Sequence, residues 1–379
     1  AEHPRRRGTL PKEVCEMYFV VICAFMILLL SGLFYVSARC RRFRCVQAAW
    51  RKSKVLGVLI FALPFAAFAV GAVFSIYSAA VWFLHLFFFF LLFDFFAFIA
   101  RKISHRRPER YIAGALAIAV TFIYMGMGWF FAHHVFETDY TVESEKTDGV
   151  RIALIADSHI GATFDGEGFA EYVREIADKK PDMLVIAGDF IDESTNREDM
   201  ENACAAFAEI DPPLGKYYVF GNHDKGLYGD RDYSVEDFCE RLSASGVRIL
   251  EDDVVSVGDN ICVIGRRDRS DPEGRLDMRA LTAAADKSKF TIVLDHQPGD
   301  YDAEAESGVD LVLSGHTHGG HIYPMGYIGT LTGENDGIYG MQHREDTDFI
   351  ITSGISGWEI PFKTGAVSEY VVIDVEKVS

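Results

Sequence analysis

The sequence predicts an α/β sheet domain preceded by an α-helical bundle of four transmembrane spans. One observation behind that prediction is a division of charge. Residues 1–136 carry 16 Lys+Arg against 5 Asp+Glu, a balance of +11, whereas residues 137–379 carry 21 against 50, a balance of −29. The basic part is also the apolar part, which points to a membrane. The acidic part repels a phosphate backbone, so nucleic acid is a disfavoured partner. Long uncharged stretches in the first part and alternating strand-like and helix-like runs in the second are the other two observations.

The first element is an uncharged run of 22 residues, 17–38, enough to cross ~30 Å of hydrocarbon at about 1.5 Å per residue. Residues 55–100 form a 46-residue apolar stretch whose only carboxyl or imidazole groups are His85 and Asp94. That is too long for one crossing, so two helices are expected, turning near Ser75-Ile76-Tyr77-Ser78. Residues 111–132 make the fourth span. One cleavable leader would not explain four such regions. Asp94 lies near the basic end of its span, where a solvated or Arg-paired role is expected rather than a functional one.

Orientation follows the basic flanks. Seven Lys/Arg (Arg39, Arg41, Arg42, Arg44, Arg51, Lys52, Lys54) follow span one, and five (Arg101, Lys102, Arg106, Arg107, Arg110) follow span three. Only Arg5, Arg6, Arg7 and Lys12 precede the first span. With the two basic loops in the cytoplasm, the acidic domain is expected outside it. Seven cysteines, an odd number without tight spacing, give neither a disulfide framework nor a zinc cluster.

Residues 137–149 are polar and read as a linker, which leaves 1–136 as the membrane domain and 150–379 as the sheet domain. Strand-like runs fall at 150–156, 183–187, 217–220, 290–294, 311–314, 349–352 and 370–375. A hairpin is expected from 254–257 and 261–264 across Gly258-Asp259-Asn260. Helix-like stretches lie at 167–179, 198–210, 235–245 and 276–287. Strands joined through helices define an α/β sheet, and in such sheets reactive groups gather beyond the carboxyl ends of the strands.

Five short polar motifs sit at those ends: Asp157-Ser158-His159, Gly188-Asp189, Gly221-Asn222-His223-Asp224, His296 and Gly315-His316-Thr317-His318. Asp157 and His159, one residue apart on an extended chain, point the same way and can grip one ion. The Asp189 carboxylate has two oxygens with which to bridge two cations, and Asn222 adds an oxygen without adding charge. His296, His316 and His318 supply imidazoles, and glycines before Asp189, Asn222 and His316 permit tight turns. Mixed His and carboxylate donors suit Mn2+ first, with Fe, Zn and Co also accommodated. Two such ions hold a bridging hydroxide for in-line attack on phosphorus. His223, followed by Asp224, reads as an acid for the leaving oxygen with its tautomer held by a carboxylate.

In their order these motifs resemble the calcineurin-like metallophosphoesterase superfamily, over roughly residues 150–375, and within it the YkuE/YaeI-type membrane-associated branch. The resemblance implies a four-layer α/β sandwich. It implies one ion on Asp157, His159, Asp189 and His318, and a second on Asp189, Asn222, His296 and His316, with His223 as the acid. It also implies a phosphoester substrate, lipid-linked where branch members act at a bilayer. The chain departs from the branch at His321, where Gln is usual, and at Lys363, where Arg is common. His321 is a candidate substrate or supporting residue. Arg266, Arg267 and Arg269 are candidates for binding the substrate's phosphate or headgroup, weighed against a solvated cluster. The rival reading, a membrane sensor or receptor that keeps the fold without catalysis, is weakened because no ligand position is missing. A transporter is poorly served by spans holding only His85 and Asp94. The oligomeric state is not legible.

Overall fold

The computed structural model describes residues 12–105, 109–229 and 231–378. Arg5, Arg6, Arg7, Arg106 and Arg107 of the basic flanks lie outside them. The chain divides into two compact units at Gly126/Met127.

In the first unit, helices α1 (Lys12–Cys40), α3 (Lys54–Phe74), α4 (Ile76–Ser104) and the start of α5 (Ile112–His133) correspond to the four expected spans, and each is long and apolar enough to cross a membrane. A short helix, α2 (Arg44–Lys52), lies in the first basic loop. The turn between spans two and three falls at Ser75, as expected. Its extended backbone ends α3, and its hydroxyl accepts from Ser78 N to start α4. Leu29, Leu33, Phe83 and Phe90 pack together inside the bundle, while Leu59, Leu63, Phe95 and Phe122 face outward. An outward apolar face of this extent is what hydrocarbon covers. Asp94 is buried and takes ion pairs from Arg39 (2.9 Å) and Arg42 (3.2 Å) and hydrogen bonds from the Tyr35 and Tyr111 hydroxyls. Its expected pairing with arginine is what the bundle contains.

The second unit holds two six-stranded sheets among the described residues. The strands are β1 (Val135–Ser144), β2 (Val150–Ile155), β3 (Met183–Ala187), β4 (Lys216–Val219), β5 (Val247–Ile249), β6 (Asp253–Val257), β7 (Ile261–Gly265), β8 (Phe290–Leu294), β9 (Leu311–Ser314), β10 (Gly340–Arg344), β11 (Thr347–Ile351) and β12 (Ser368–Lys377). One sheet has the order β1-β12-β2-β3-β4-β5, the other β10-β11-β9-β8-β7-β6. Alternation along β2 sends Ile152 and Leu154 to a core shared with Val263, Ile292 and Leu313 of the other sheet. Ala153 and Ile155 go to the opposite face, which packs on helices α6 (Gly166–Asp178), α7 (Arg197–Ala206) and α8 (Val235–Ala244). Helices α9 (Met278–Thr282) and α10 (Tyr301–Glu306) cover the outer face of the second sheet, and α11 (Tyr327–Thr332) stands apart from both cores. The layers are therefore helix, sheet, sheet, helix, as the resemblance implied.

Two expectations need correction. Residues 137–149 are not a linker through most of their length. Val135 to Ser144 pair in parallel with β12 over ten positions, Val142 and Ser144 facing in and Glu137, Asp139 and Glu143 facing out. Acidic side chains on one face of an edge strand discourage pairing with another chain, and here they imitate a loop composition. Residues 276–287 form a helix only over Met278–Thr282, capped by the Asp277 side chain. Downstream, the Asp286 carboxylate accepts from Ser288 N and Oγ, a local turn that competes with further helix.

Candidate metal centre

Strands β2, β3, β8 and β9 are parallel or adjacent, and their carboxyl ends deliver the motif residues to one place. Asp157, His159 and His318 have ligand-type atoms within 4.8 Å of one another, and Asp189, His296 and His316 form a second such group. Asp189 Oδ2 lies 3.1 Å from His296 Nε2 and 3.8 Å from His159 Nε2, so one oxygen stands between the two groups. Asn222 Oδ1 lies 3.3 Å from His296 Nε2. All seven residues expected as metal ligands are thus brought together.

The local reason is a set of tight turns rather than strand pleating. Asp157, His159, Asp189, His316 and His318 all have positive φ, between 37° and 69°. Non-glycine residues there cost on the order of 1–3 kcal/mol each, and such backbones persist where the surroundings over-determine them, typically at functional sites. Asp157 and His159 therefore converge through a loop beyond β2, not through the i, i+2 alternation of a strand. Gly188 is required by this crowding. Its φ is 82°, and a Cβ there would lie 2.6 Å from Gly221 N and 2.7 Å from His296 Nδ1.

Two imidazoles are fixed from behind. His159 Nδ1 lies 3.1 Å from Asp192 Oδ2, and His296 Nδ1 lies 2.8 Å from Ala187 O. With Nδ1 donating in each, the Nε2 lone pair faces the centre, which is how metal-binding histidines are oriented. His159 Nε2 is buried and has no hydrogen-bond partner among the described residues. An orphaned buried acceptor is costly, and a cation would satisfy it. This observation, with a donor set of carboxylate, amide oxygen and imidazole, fits divalent metal ions.

The electrostatics divide the imidazoles: burial opposes charge on His159 and His296, but Asp192 beside the first and Asp189 beside the second raise both above their ordinary value, so a bound cation would displace a proton from each. Burial pushes Asp157 up to about 6, although His296 opposes the rise, and pushes His316 down to about 4. Burial also drives His318 well below its ordinary value. For Asp189 burial acts upward, but His296 overrides it and holds the carboxyl below the usual range. The pocket disfavours protons on His316 and His318, leaving them neutral and ligand-ready.

His223 sits at the rim, and its carboxylate partner is not Asp224. His223 Nδ1 lies 3.0 Å from Glu193 Oε1. Asp224 instead accepts four backbone N–H groups, from Asp189 (2.8 Å), Phe190 (2.8 Å), Ile191 (3.1 Å) and Gly221 (2.6 Å). The expected catalytic role of Asp224 is corrected to that of a clamp between the β3 and β4 loops. Glu193 carried no motif signal. Nor did Tyr228 and Trp358, whose rings lie 4.8 Å and 5.3 Å from that of His223.

Arg266 is also corrected as a candidate for binding the substrate's phosphate. Arg266 is 1% exposed and bound to Asp295, Asp300 and Glu304 at 2.8–3.0 Å, an internal ion cluster that braces the residue before His296. Sequence spacing cannot reveal this, because the three acids lie beyond the next strand, Asp295 after β8 and Asp300 and Glu304 at and within α10. Arg267 is held by Glu273 at 2.6 Å, and Arg269 donates to Glu334 O. His321 stacks on His318 at 5.3 Å with Nε2 toward Ile360 O, and burial lowers it to about 4.

Residues 150–320 match the calcineurin-like phosphoesterase family. An uncharacterized metallophosphoesterase of Aquifex aeolicus is 33% identical over 251 residues, covering 62% of this chain and 90% of that protein. YkuE, an uncharacterized metallophosphoesterase of Bacillus subtilis, is 26% identical over 289 residues, covering 73% and 99%. A zebrafish (Danio rerio) transmembrane protein with a metallophosphoesterase domain is 29% identical over 240 residues, covering 59% and 53%.

Proposed function

The chain belongs to the calcineurin-like phosphoesterase family, and from that premise we propose that it is a membrane-anchored phosphoester hydrolase that uses two divalent metal ions, Mn2+ first among them. The observation that carries this reading is the position of Asp189 Oδ2 between two three-residue donor groups. Asp157, His159, Asp189 and His318 would hold one ion, and Asp189, Asn222, His296 and His316 the other. Two bound ions supply Lewis-acid polarisation of a phosphoryl group and an activated water.

The remaining chemistry belongs to side chains. His223, at the rim and held through Nδ1 by Glu193, presents Nε2 as the donor that protonates the leaving oxygen. Tyr228 and Trp358 flank that imidazole and limit water around it. The sheet domain is joined in one chain to membrane-length helices, and that tether favours a lipid-linked phosphoester as the substrate. The basic loops favour an extracytoplasmic catalytic domain.

Purified full-length protein with Mn2+ is expected to hydrolyse an aryl phosphodiester, and a chelator to stop it. His223→Ala should lower kcat by about 10²–10⁴ for an alkyl leaving group, which needs the proton. For p-nitrophenolate, a good leaving group, the loss should be far smaller. Equal losses on both substrates would remove His223 from the acid role. Full metal occupancy without turnover on any phosphoester would leave the non-catalytic sensor as the better reading. For orientation, a C-terminal reporter should be active outside the cytoplasm, and a signal confined to the inside reverses the assignment.

A further inference from the structure

The segment between His321 and Glu334 has no role in the metal centre, yet its composition is unlike that of the domain around it. Residues 322–333 read Ile-Tyr-Pro-Met-Gly-Tyr-Ile-Gly-Thr-Leu-Thr-Gly, twelve residues without a charge in a part of the chain whose balance is −29. Its large side chains are not packed away. Tyr323, Met325, Tyr327, Ile328 and Leu331 are all about half exposed or more, and Leu331 reaches 83%. On α11, Tyr327, Ile328 and Leu331 are spaced i, i+1, i+4 and share a face. An outward apolar patch of this kind marks an interaction surface.

Its neighbours identify the partner. Tyr323 N donates to Thr364 Oγ1 at 3.0 Å, and Thr364 N donates to His321 O at 2.8 Å. Lys363 N, one residue back, donates to Gly128 O at 2.9 Å, and a Cβ on Gly128 would lie 2.9 Å from Thr364 Cγ2. Gly128 belongs to the closing turns of α5, the fourth membrane-length helix, where Met127, Trp129 and Phe130 are exposed. The start of the uncharged segment, at Tyr323, is therefore tied through Thr364 and Lys363 to the last turns of a membrane-length helix. Trp and Tyr collect at that depth, with rings half in hydrocarbon and polar tips in the headgroup layer. Trp129, Tyr323 and Tyr327 have that character.

We infer that residues 323–331 form a bilayer-contacting surface, the α11 face seated in the interfacial layer of the membrane that α5 spans. A short apolar element of this kind buries about 5–10 Å into the headgroup boundary. A cavity of about 440 Å3 opens beside it, lined by Tyr323, Tyr327 and Thr330 on one side and by Gly319 and Gly320, next to His318, on the other. A phosphoester anchored in lipid would enter from the bilayer along this wall. That last step rests on the hydrolase reading, whereas the membrane contact does not.

The test uses the full chain in phosphatidylcholine nanodiscs with a photoreactive p-benzoylphenylalanine at position 328 or 331. Position 276 serves for comparison, because Leu276 is also half exposed but far along the chain from this segment. Lipid adducts at 328 and 331 should exceed those at 276 by about tenfold. Equal yields overturn the inference, and adducts to a second copy of the chain reassign the face to self-association. In a second arm, Ile328→Glu with Leu331→Glu should slow hydrolysis of a vesicle-embedded phosphodiester about tenfold relative to a soluble aryl phosphodiester. Neither residue lines the cavity or the metal centre. An unchanged ratio also counts against the inference. If the unmodified protein turns over neither substrate, the hydrolase reading fails while the adducts still decide the surface.

Discussion

Asp189→Ala is expected to lower turnover by about 10³–10⁴, because one carboxylate oxygen serves both halves of the centre. Asp189 Oδ2 is within 3.8 Å of imidazole nitrogens from each donor group, and no neighbouring carboxylate occupies that position. Lewis-acid stabilisation by a bound ion is worth several kcal/mol, and about 1.4 kcal/mol is a factor of ten in rate. Losing the shared ligand therefore removes three or four factors of ten. Metal analysis should fall from two ions per chain to one or fewer. The fold should survive, since the strand ends keep their backbone bonds and the losses are confined to the centre: His223 N loses an acceptor, Asp189 Oδ1 at 2.8 Å, and His296 Nε2 loses its carboxylate neighbour at 3.1 Å. Asp189→Asn keeps that acceptor and should retain more structure with little more activity. Two ions bound to Asp189→Ala, with turnover within tenfold of the parent, would show that the carboxylate does not join the groups.

Much of this centre was legible because each ligand follows an apolar strand, and strand ends in α/β sheets converge whatever the intervening helices do. The strands at 183–187, 290–294 and 311–314 begin and end where hydrophobic runs do, since burial on both faces leaves no charged residue inside them and few polar ones, Thr291 and Ser314. What escaped was set by tertiary pairing. Strand β1 looks like a linker because an edge strand needs only one satisfied side, so its acidic outer face carries no strand signal. Glu193 was missed and Arg266 misread for the same reason. Their partners, His223 in one case and Asp295, Asp300 and Glu304 in the other, are close only after the sheets assemble. Asp224 was the most misleading. Adjacency to His223 suggested a dyad, but the turn at Gly221 swings its carboxylate inward, away from the imidazole.

That inward swing makes Asp224 the residue whose loss should harm the fold most. Four buried N–H groups end on its two oxygens, three from the residues directly after Gly188 and one from Gly221. These amides belong to loops that leave β3 and β4, where no ladder partner is left for them. Asp224→Ala strands all four. A buried unsatisfied donor costs about 1–3 kcal/mol, so even the low end of that range totals about 4 kcal/mol. Relief of repulsion between the Asp224 and Asp189 carboxylates offsets part of this, but the net loss remains a large share of the ~5–15 kcal/mol that typically holds a domain folded. Denaturant unfolding should show a lower midpoint at unchanged slope, with metal affinity reduced because Asp189 is no longer held. Glu193→Gln provides the contrast. It should leave the midpoint nearly unmoved while lowering kcat on alkyl phosphoesters, since the Glu193 carboxylate pairs with the imidazole and holds none of the four amides that end on Asp224. The opposite pair of results, a stable but inactive Asp224→Ala and a silent Glu193→Gln, would return Asp224 to the role its place beside His223 first suggested.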